Sequence, residues 1–304
     1  MKAYQTYIIL VLVMIAWGLN VTATKILVTN FLPLTITGIR VLTAGLSVLL
    51  LLALIKKVRK LTRKEFFYVF LASLFNVVAH HYFLSIGLTG TSATHGGLIL
   101  GLSPILTTIF AIIFLGTPLT LLRTIGLLLG FSGAALIVLQ GGALTGFAFG
   151  DGYLFLSALV QAISFILIKR VSHTLDPRLM TGYMLVIGSL FIIVISFFKE
   201  PGGYAELASA TPSIWLIFLG SAVIATAMGH MMYNDAMGKI GAAEASIFIN
   251  LNPFFALIGA ALFLNETIRF NHILGFLLII SGVLLGSGAI EEFRNRRIRR
   301  RDAA

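Results

Sequence analysis

Cysteine is absent from the 304 residues, so neither a disulfide framework nor a thiolate metal site is available. Charge is nearly as scarce. Asp, Glu, Lys and Arg together make up 11% of the chain, where a soluble domain carries about 25%. Acids are the rarer sign, 11 against 22 Lys and Arg, and none falls within residues 5–27, 32–55, 66–87 or 92–115. That absence removes the buried carboxylate with which a proton-coupled multidrug or cation exporter trades protons for cargo, although such an exporter stays the alternative reading. It also leaves no acid to orient a histidine beside a serine nucleophile, or to back a metal-ligating histidine. Glycine runs such as Gly96-Gly97 and Gly141-Gly142 lack the lysine of a phosphate-binding loop, so ATP hydrolysis is not an energy source. No enzyme activity, metal or cofactor is expected.

What remains is apolar: 58% of the residues, with a mean hydropathy of +1.01. A hydrocarbon core of ~30 Å takes about 20 helical residues. Ten such windows can be cut, at 5–27, 32–55, 66–87, 92–115, 123–140, 151–170, 179–198, 213–237, 242–264 and 270–289. The expected fold is an all-α polytopic membrane protein with ten transmembrane helices. The first window follows Lys2 as a secretory leader would, but no small-x-small cleavage site closes it and Trp17-Gly-Leu-Asn20 continues it, so it reads as a retained helix.

Basic residues crowd two places, 56–64 and 294–301. Counted from a cytoplasmic N-terminus, 18 of the 22 Lys and Arg fall on inward segments. This is the positive-inside pattern, with both termini cytoplasmic in a bacterial-type plasma membrane. The basic tail then serves topology and headgroup attraction, not nucleic acid.

The chain also matches itself. Shifted by 144, Lys25 meets Lys169, Pro33 meets Pro177 and Gly38 meets Gly182. Shifted by 149, His81 meets His230, Pro104 meets Pro253, Gly126 meets Gly275 and Gly133 meets Gly282. Each half holds five helices, an odd number, so the second enters the membrane from the opposite side and the repeat is inverted. The expected organisation is a first repeat over 1–140, an inter-repeat loop over 141–150, a second repeat over 151–290 and a basic cytoplasmic tail over 291–304.

Trp17-Gly-Leu-Asn20, Pro104, Pro253 and the phrase LNPFFALIGAALFLNETIRFNHILGFLLIISGVLL (251–285) carry a resemblance to a known family. Over about residues 5–290 the chain resembles the drug/metabolite transporter superfamily, and within it the EamA-like exporters. The resemblance implies ten helices around a central cavity and export of amino acids or other small metabolites. Where the family has a glutamate at the end of the fourth helix, this chain has Thr117-Pro118, and only Glu266 remains in the second repeat.

Polar residues within the apolar windows are the candidate site. An unpaired amide or charge in lipid costs several kcal/mol, so such groups face protein or a wet cavity. Trp17, Asn20, Asn76, His80, His81, His95, Gln161, His230, Tyr233, Asn234, Asn250 and Asn252 are the expected cavity residues. Asn76 and His80 are four apart on one helix face, and His230, Tyr233 and Asn234 share a stripe. For these a structural role between helices competes with substrate contact. His81 and His230 lie ~10–12 Å deep from opposite faces and could carry protons. Pro104 and Pro253 are the expected hinges, in broken spans at matching positions of the two halves. Arg40, about two turns into its helix, is the candidate anion contact, whereas Lys25 and Lys169 read as helix-end lysines snorkelling to headgroups. Alternating access with helices three, four, eight and nine around the site follows, driven by facilitated diffusion or H+ exchange, in a monomer or weak homodimer. The partners are the lipid bilayer and a small-molecule substrate.

Overall fold

The computed structural model describes residues 3–91, 99–139, 149–264, 268 and 270–287. Among them there is no strand. In chain order the main helices are α1 (Ala3–Asn30), α2 (Pro33–Leu54), α3 (Arg63–Thr89), α4 (Ser103–Leu115) and α5 (Leu121–Leu139). They continue with α6 (Phe149–Val171), α7 (Pro177–Lys199) and α8 (Pro212–Ile240). Next, α9 begins as Ala242–Ser246, tightens to a 3-10 turn over Ile247–Leu251 and resumes over Asn252–Leu264; α10 is Phe270–Gly286. Among the described residues seven helices are long and apolar enough to cross a membrane, namely α1–α3 and α6–α9, while α4, α5 and α10 are apolar but shorter. Leu54, Ile113, Leu121, Phe198, Leu216 and Phe270 are among the apolar side chains turned outward. A polytopic membrane protein has this surface because lipid, not water, covers it.

Local chemistry sets the helix ends. Pro33 and Pro177 occupy first-turn positions, where the missing N–H is no loss. The carboxylate of Glu200 accepts hydrogen bonds from the backbone N–H of Leu34 (2.9 Å) and Thr35 (2.7 Å) and from the Thr35 hydroxyl (2.8 Å). It thereby ties the segment after α7 to the positive end of α2. At the start of α3, Thr62 and Glu65 form a capping box, and Arg59 grips Glu65 at 2.7 and 2.9 Å.

The most extensive helix contacts are those of α5 with α10 and α2 with α7. In the first, backbone meets backbone: a Cβ on Gly126 would lie 2.3 Å from the Gly286 nitrogen, and one on Gly282 2.4 Å from the Gly130 nitrogen. In the second, Gly38 receives Ile193 while Gly182 receives Leu49.

Two features recur at corresponding positions. The helix widens to π turns over Ser73–Ala79 within α3 and over Gly220–Met228 within α8. The first wide segment ends just before His80 and His81, and the second one residue before His230. Lys25 and Lys169 form the other pair. The Lys25 ammonium donates to the carbonyls of Leu88 (2.6 Å) and Thr91 (3.2 Å), and that of Lys169 to Gly238 (2.7 Å). Snorkelling to headgroups is therefore not where these lysines go. Each caps the carbonyl end of α3 or α8, where a cation is favoured by the helix dipole.

Candidate functional site

The site begins with the approach of α9 to α1. Gly18 lets the α9 backbone come so close that a Cβ there would sit 2.5 Å from the Cβ of Phe255. This brings Asn252 beside Trp17 and Asn20, which lie three apart and so share one face of α1. The π turns then aim their histidines inward, since an added residue per turn re-registers the side chains that follow. The result is a narrow internal cavity of about 70 Å³. That is room for a few waters, each needing roughly 10–15 Å³.

Trp17, Asn20, Arg40, His80, His81, Gln161, His230 and Asn252 line this cavity, with Thr24, Thr226, Leu84, Leu88 and Leu100 among their neighbours. The lining comes from α1, α2, α3, α6, α8 and α9. Four expected residues are elsewhere. Asn76 donates to Ser164 Oγ (2.7 Å) between α3 and α6, and Asn234 to Thr181 Oγ1 (2.9 Å) between α8 and α7. Tyr233 is fully buried between Trp17 and Phe165, with ring centroids 4.9 and 5.2 Å away. Asn250 faces Gly130 of α5, where an added Cβ would lie 2.5 Å from its amide nitrogen. The amides of Asn76 and Asn234 thus bond neighbouring helices, whereas the Tyr233 hydroxyl and the Asn250 amide are buried with no hydrogen-bonding partner among the described residues. His95 and Glu266 lie outside the described residues.

Both prolines sit at a break in their span. Pro104 sits in the first turn of α4, after the Gly101-Leu102 turn, and Pro253 in the first turn of the α-helical part of α9, after its 3-10 segment. In both, the absent proline N–H falls where one helical ladder has ended and another begins.

Hydrogen bonds fix part of the lining. Ser157 Oγ lies 2.7 Å and its carbonyl oxygen 3.2 Å from His80 Nδ1, while the Gln161 amide nitrogen lies 3.2 Å from Nε2. A Gln161 N–H donated to Nε2 sets the Nδ1–H tautomer of His80. His230 Nδ1 lies 3.0 Å from the Thr226 carbonyl, which it can only meet as a donor, so its Nε2 is an acceptor; no side chain pairs with that atom. Trp17 Nε1 donates to the Ala225 carbonyl at 2.9 Å and its ring leans on His230 at 4.9 Å. His81, 3% exposed, stands between His80 and His230 at 4.9 and 5.9 Å, and neither of its ring nitrogens has a hydrogen-bonding partner. Among the described residues no group of three His, Cys, Asp or Glu is arranged to hold a metal ion.

Among the described residues Arg40 is the one charge in the wall of this cavity. It is 2% exposed and its Nη1 donates to Thr226 Oγ1 (2.8 Å) and Ser221 Oγ (3.3 Å), both neutral groups. None of the ion pairs among the described residues involves it. Thr226 and Ser221, missed from the sequence, are the residues that hold it. The available signal was a threonine one helical turn before His230.

This arrangement has relatives. The sequence matches the EamA-like transporter family over residues 5–139 and again over 148–288. The chain belongs to the EamA-like transporter family. It is 28% identical to the uncharacterized transporter YvbV of Bacillus subtilis, over 92% of this chain and 91% of that one. It is also 28% identical to YyaM of the same organism, over 95% and 96%, and 27% identical to a chloroplastic WAT1-related protein of Arabidopsis thaliana, over 88% and 66%. One solved protein structure shares the fold, with a TM-score of 0.73 at 16% identity over 95% of this chain and 99% of that one. As an EamA-like protein, this chain is a multi-pass membrane transporter of a small substrate.

Proposed function

We propose that this protein exports a small carboxylate-bearing metabolite, in the first instance an amino acid, across the cell membrane by alternating access. The observation that carries this reading is Arg40, a buried guanidinium in the cavity wall whose side-chain partners among the described residues are two hydroxyls. A buried charge is costly until it is paired, and a cargo carboxylate supplies the bidentate partner that guanidinium geometry favours. Around it, His81, the His230 Nε2 atom and Asn252 Oδ1 are polar atoms with no protein partner, suited to an ammonium or hydroxyl on the same cargo. A cationic drug finds no acid among the lining residues, which argues against the multidrug alternative.

Ten crossing helices in two inverted halves, 1–140 and 151–290, with both termini cytoplasmic, agree with the positive-inside charge and with the paired π turns, prolines and lysine caps. A cavity of about 70 Å³ is smaller than the ~300 Å³ at which ligand pockets begin, so one side must open for cargo to enter. The Arg123–Glu244 ion pair (2.8 Å), joining α5 to α9 at the cytoplasmic end, is a contact such opening breaks. Energy comes from the cargo gradient or from H+ exchange through the histidines, and the working unit is a monomer or weak homodimer.

The test is uptake and efflux of labelled amino acids in proteoliposomes, with and without a pH gradient. Arg40→Gln should lower the rate for carboxylate substrates at least tenfold while the protein stays folded. Wild-type-like transport by that variant would refute the reading.

A further inference from the structure

Outside the central cavity, α1 and α8 part to form a second recess, a groove of about 310 Å³ on the outer, lipid-facing side of the bundle. Along α1 it runs from Ala16 to Ile26, about 15 Å of helix. Its other wall is the wide-turn part of α8, with Ile224, 58% exposed, at the rim. A Cβ on Gly220 would meet nothing within 4 Å, so the groove is open there.

Most of the lining is aliphatic; its polar side chains are Thr22, Asn20 and Ser221, the last two forming the floor toward the central cavity. Asn20 lines both this groove and the central cavity. Ser221 Oγ donates to Asn20 Oδ1 at 2.5 Å and accepts from Arg40 Nη1 at 3.3 Å. One serine–asparagine contact therefore separates the groove from the buried guanidinium. An aliphatic groove alone would take any lipid chain; one whose floor ends beside a cation without a carboxylate partner favours a chain with an anionic head.

We propose that this groove is a lateral portal for amphipathic organic acids with a single apolar tail. The tail lies between α1 and α8, and the carboxylate turns the Ser221 hydroxyl aside and pairs with Arg40. The proposal rests on the reading that Arg40 receives the cargo's carboxylate. It adds the cargo class, membrane-partitioning acids, and their route.

Trp17 is a built-in reporter, since Ala225, whose carbonyl it bonds, lines the groove. With Trp215→Phe as background, Trp17 is the sole tryptophan. In nanodiscs, an ω-bromo alkanoate of medium chain should quench its fluorescence saturably, whereas the matching ω-bromo alkylammonium should show only weak, non-saturating quenching. Gly220→Leu and, independently, Ile224→Phe should weaken alkanoate binding about tenfold and leave amino-acid transport intact; Arg40→Gln should abolish the saturable quenching. Equal quenching by acid and amine, or undiminished alkanoate affinity in both groove variants, overturns the portal. If that happens while Arg40→Gln still loses amino-acid transport, only the portal falls. Normal amino-acid transport by Arg40→Gln removes the cargo reading beneath it.

Discussion

The α5–α10 seam and the cavity between α1, α3 and α8 use opposite means in the same bundle. In the seam, glycines bring two backbones into direct contact, and an added Cβ would fall 2.3–2.6 Å from main-chain atoms on the facing helix. Dispersion at that range, and not the hydrophobic effect, holds helices together in lipid, because lipid tails are as apolar as leucine. In the cavity, the close approaches are ring against ring, a guanidinium is buried against hydroxyls, and His81 has no hydrogen-bonding partner. The seam maximises contact and leaves nothing to move. The cavity carries polar groups at a cost in stability, which is reasonable only where a ligand or a changed conformation satisfies them. The comparison separates a stiff support from a functional hollow.

The largest expected effect breaks the seam. Gly282→Leu should cost at least about 3 kcal/mol, because even its Cβ meets the Gly130 backbone, which cannot yield as a side chain would. Size-exclusion profiles of detergent-solubilised protein should show loss of the monodisperse species. Arg40→Gln should do the reverse, lowering transport at least tenfold with a melting temperature equal to or above wild type, since a buried cation is removed. A large fall in melting temperature for that variant would place Arg40 with the structural residues. Glu200→Gln should cost about 1–2 kcal/mol by weakening three charge-assisted hydrogen bonds at the start of α2, read by thermal unfolding. Lys25→Met and Lys169→Met should each cost about 0.5–1 kcal/mol, and by similar amounts if the two caps are equivalent. Smallest of all, Gly220→Ala should stay within about 0.5 kcal/mol of wild type, because its Cβ enters open space.

Much of the fold was legible because membrane helices announce themselves by length. The windows at 32–55, 179–198 and 213–237 correspond to Pro33–Leu54, Pro177–Lys199 and Pro212–Ile240, with proline marking each start. Gly126 and Gly130 lie four apart, a small-residue spacing that allows close helix contact, and Gly286 and Gly282 of α10 come against their backbones. The polar residues were harder. Asn76 and Asn234 look as functional as Asn20 in the sequence, but their amides meet Ser164 and Thr181 on neighbouring helices. Hydropathy reports that a polar group needs a partner, never whether the partner is a neighbouring helix or a cargo.

Residue types and their spacing alone determined that this chain is an apolar, helix-built protein of the membrane, whose two halves each match one family model. That much follows from the thickness of the hydrocarbon core and the cost of unpaired polar groups within it. Which histidines meet, which asparagines fall outside the cavity, and that Arg40 rests on Thr226 and Ser221 across 186 and 181 residues were decided by packing. Those contacts depend on the rotation of each helix about its axis, which glycine seams and π turns set and which no local pattern of residues specifies.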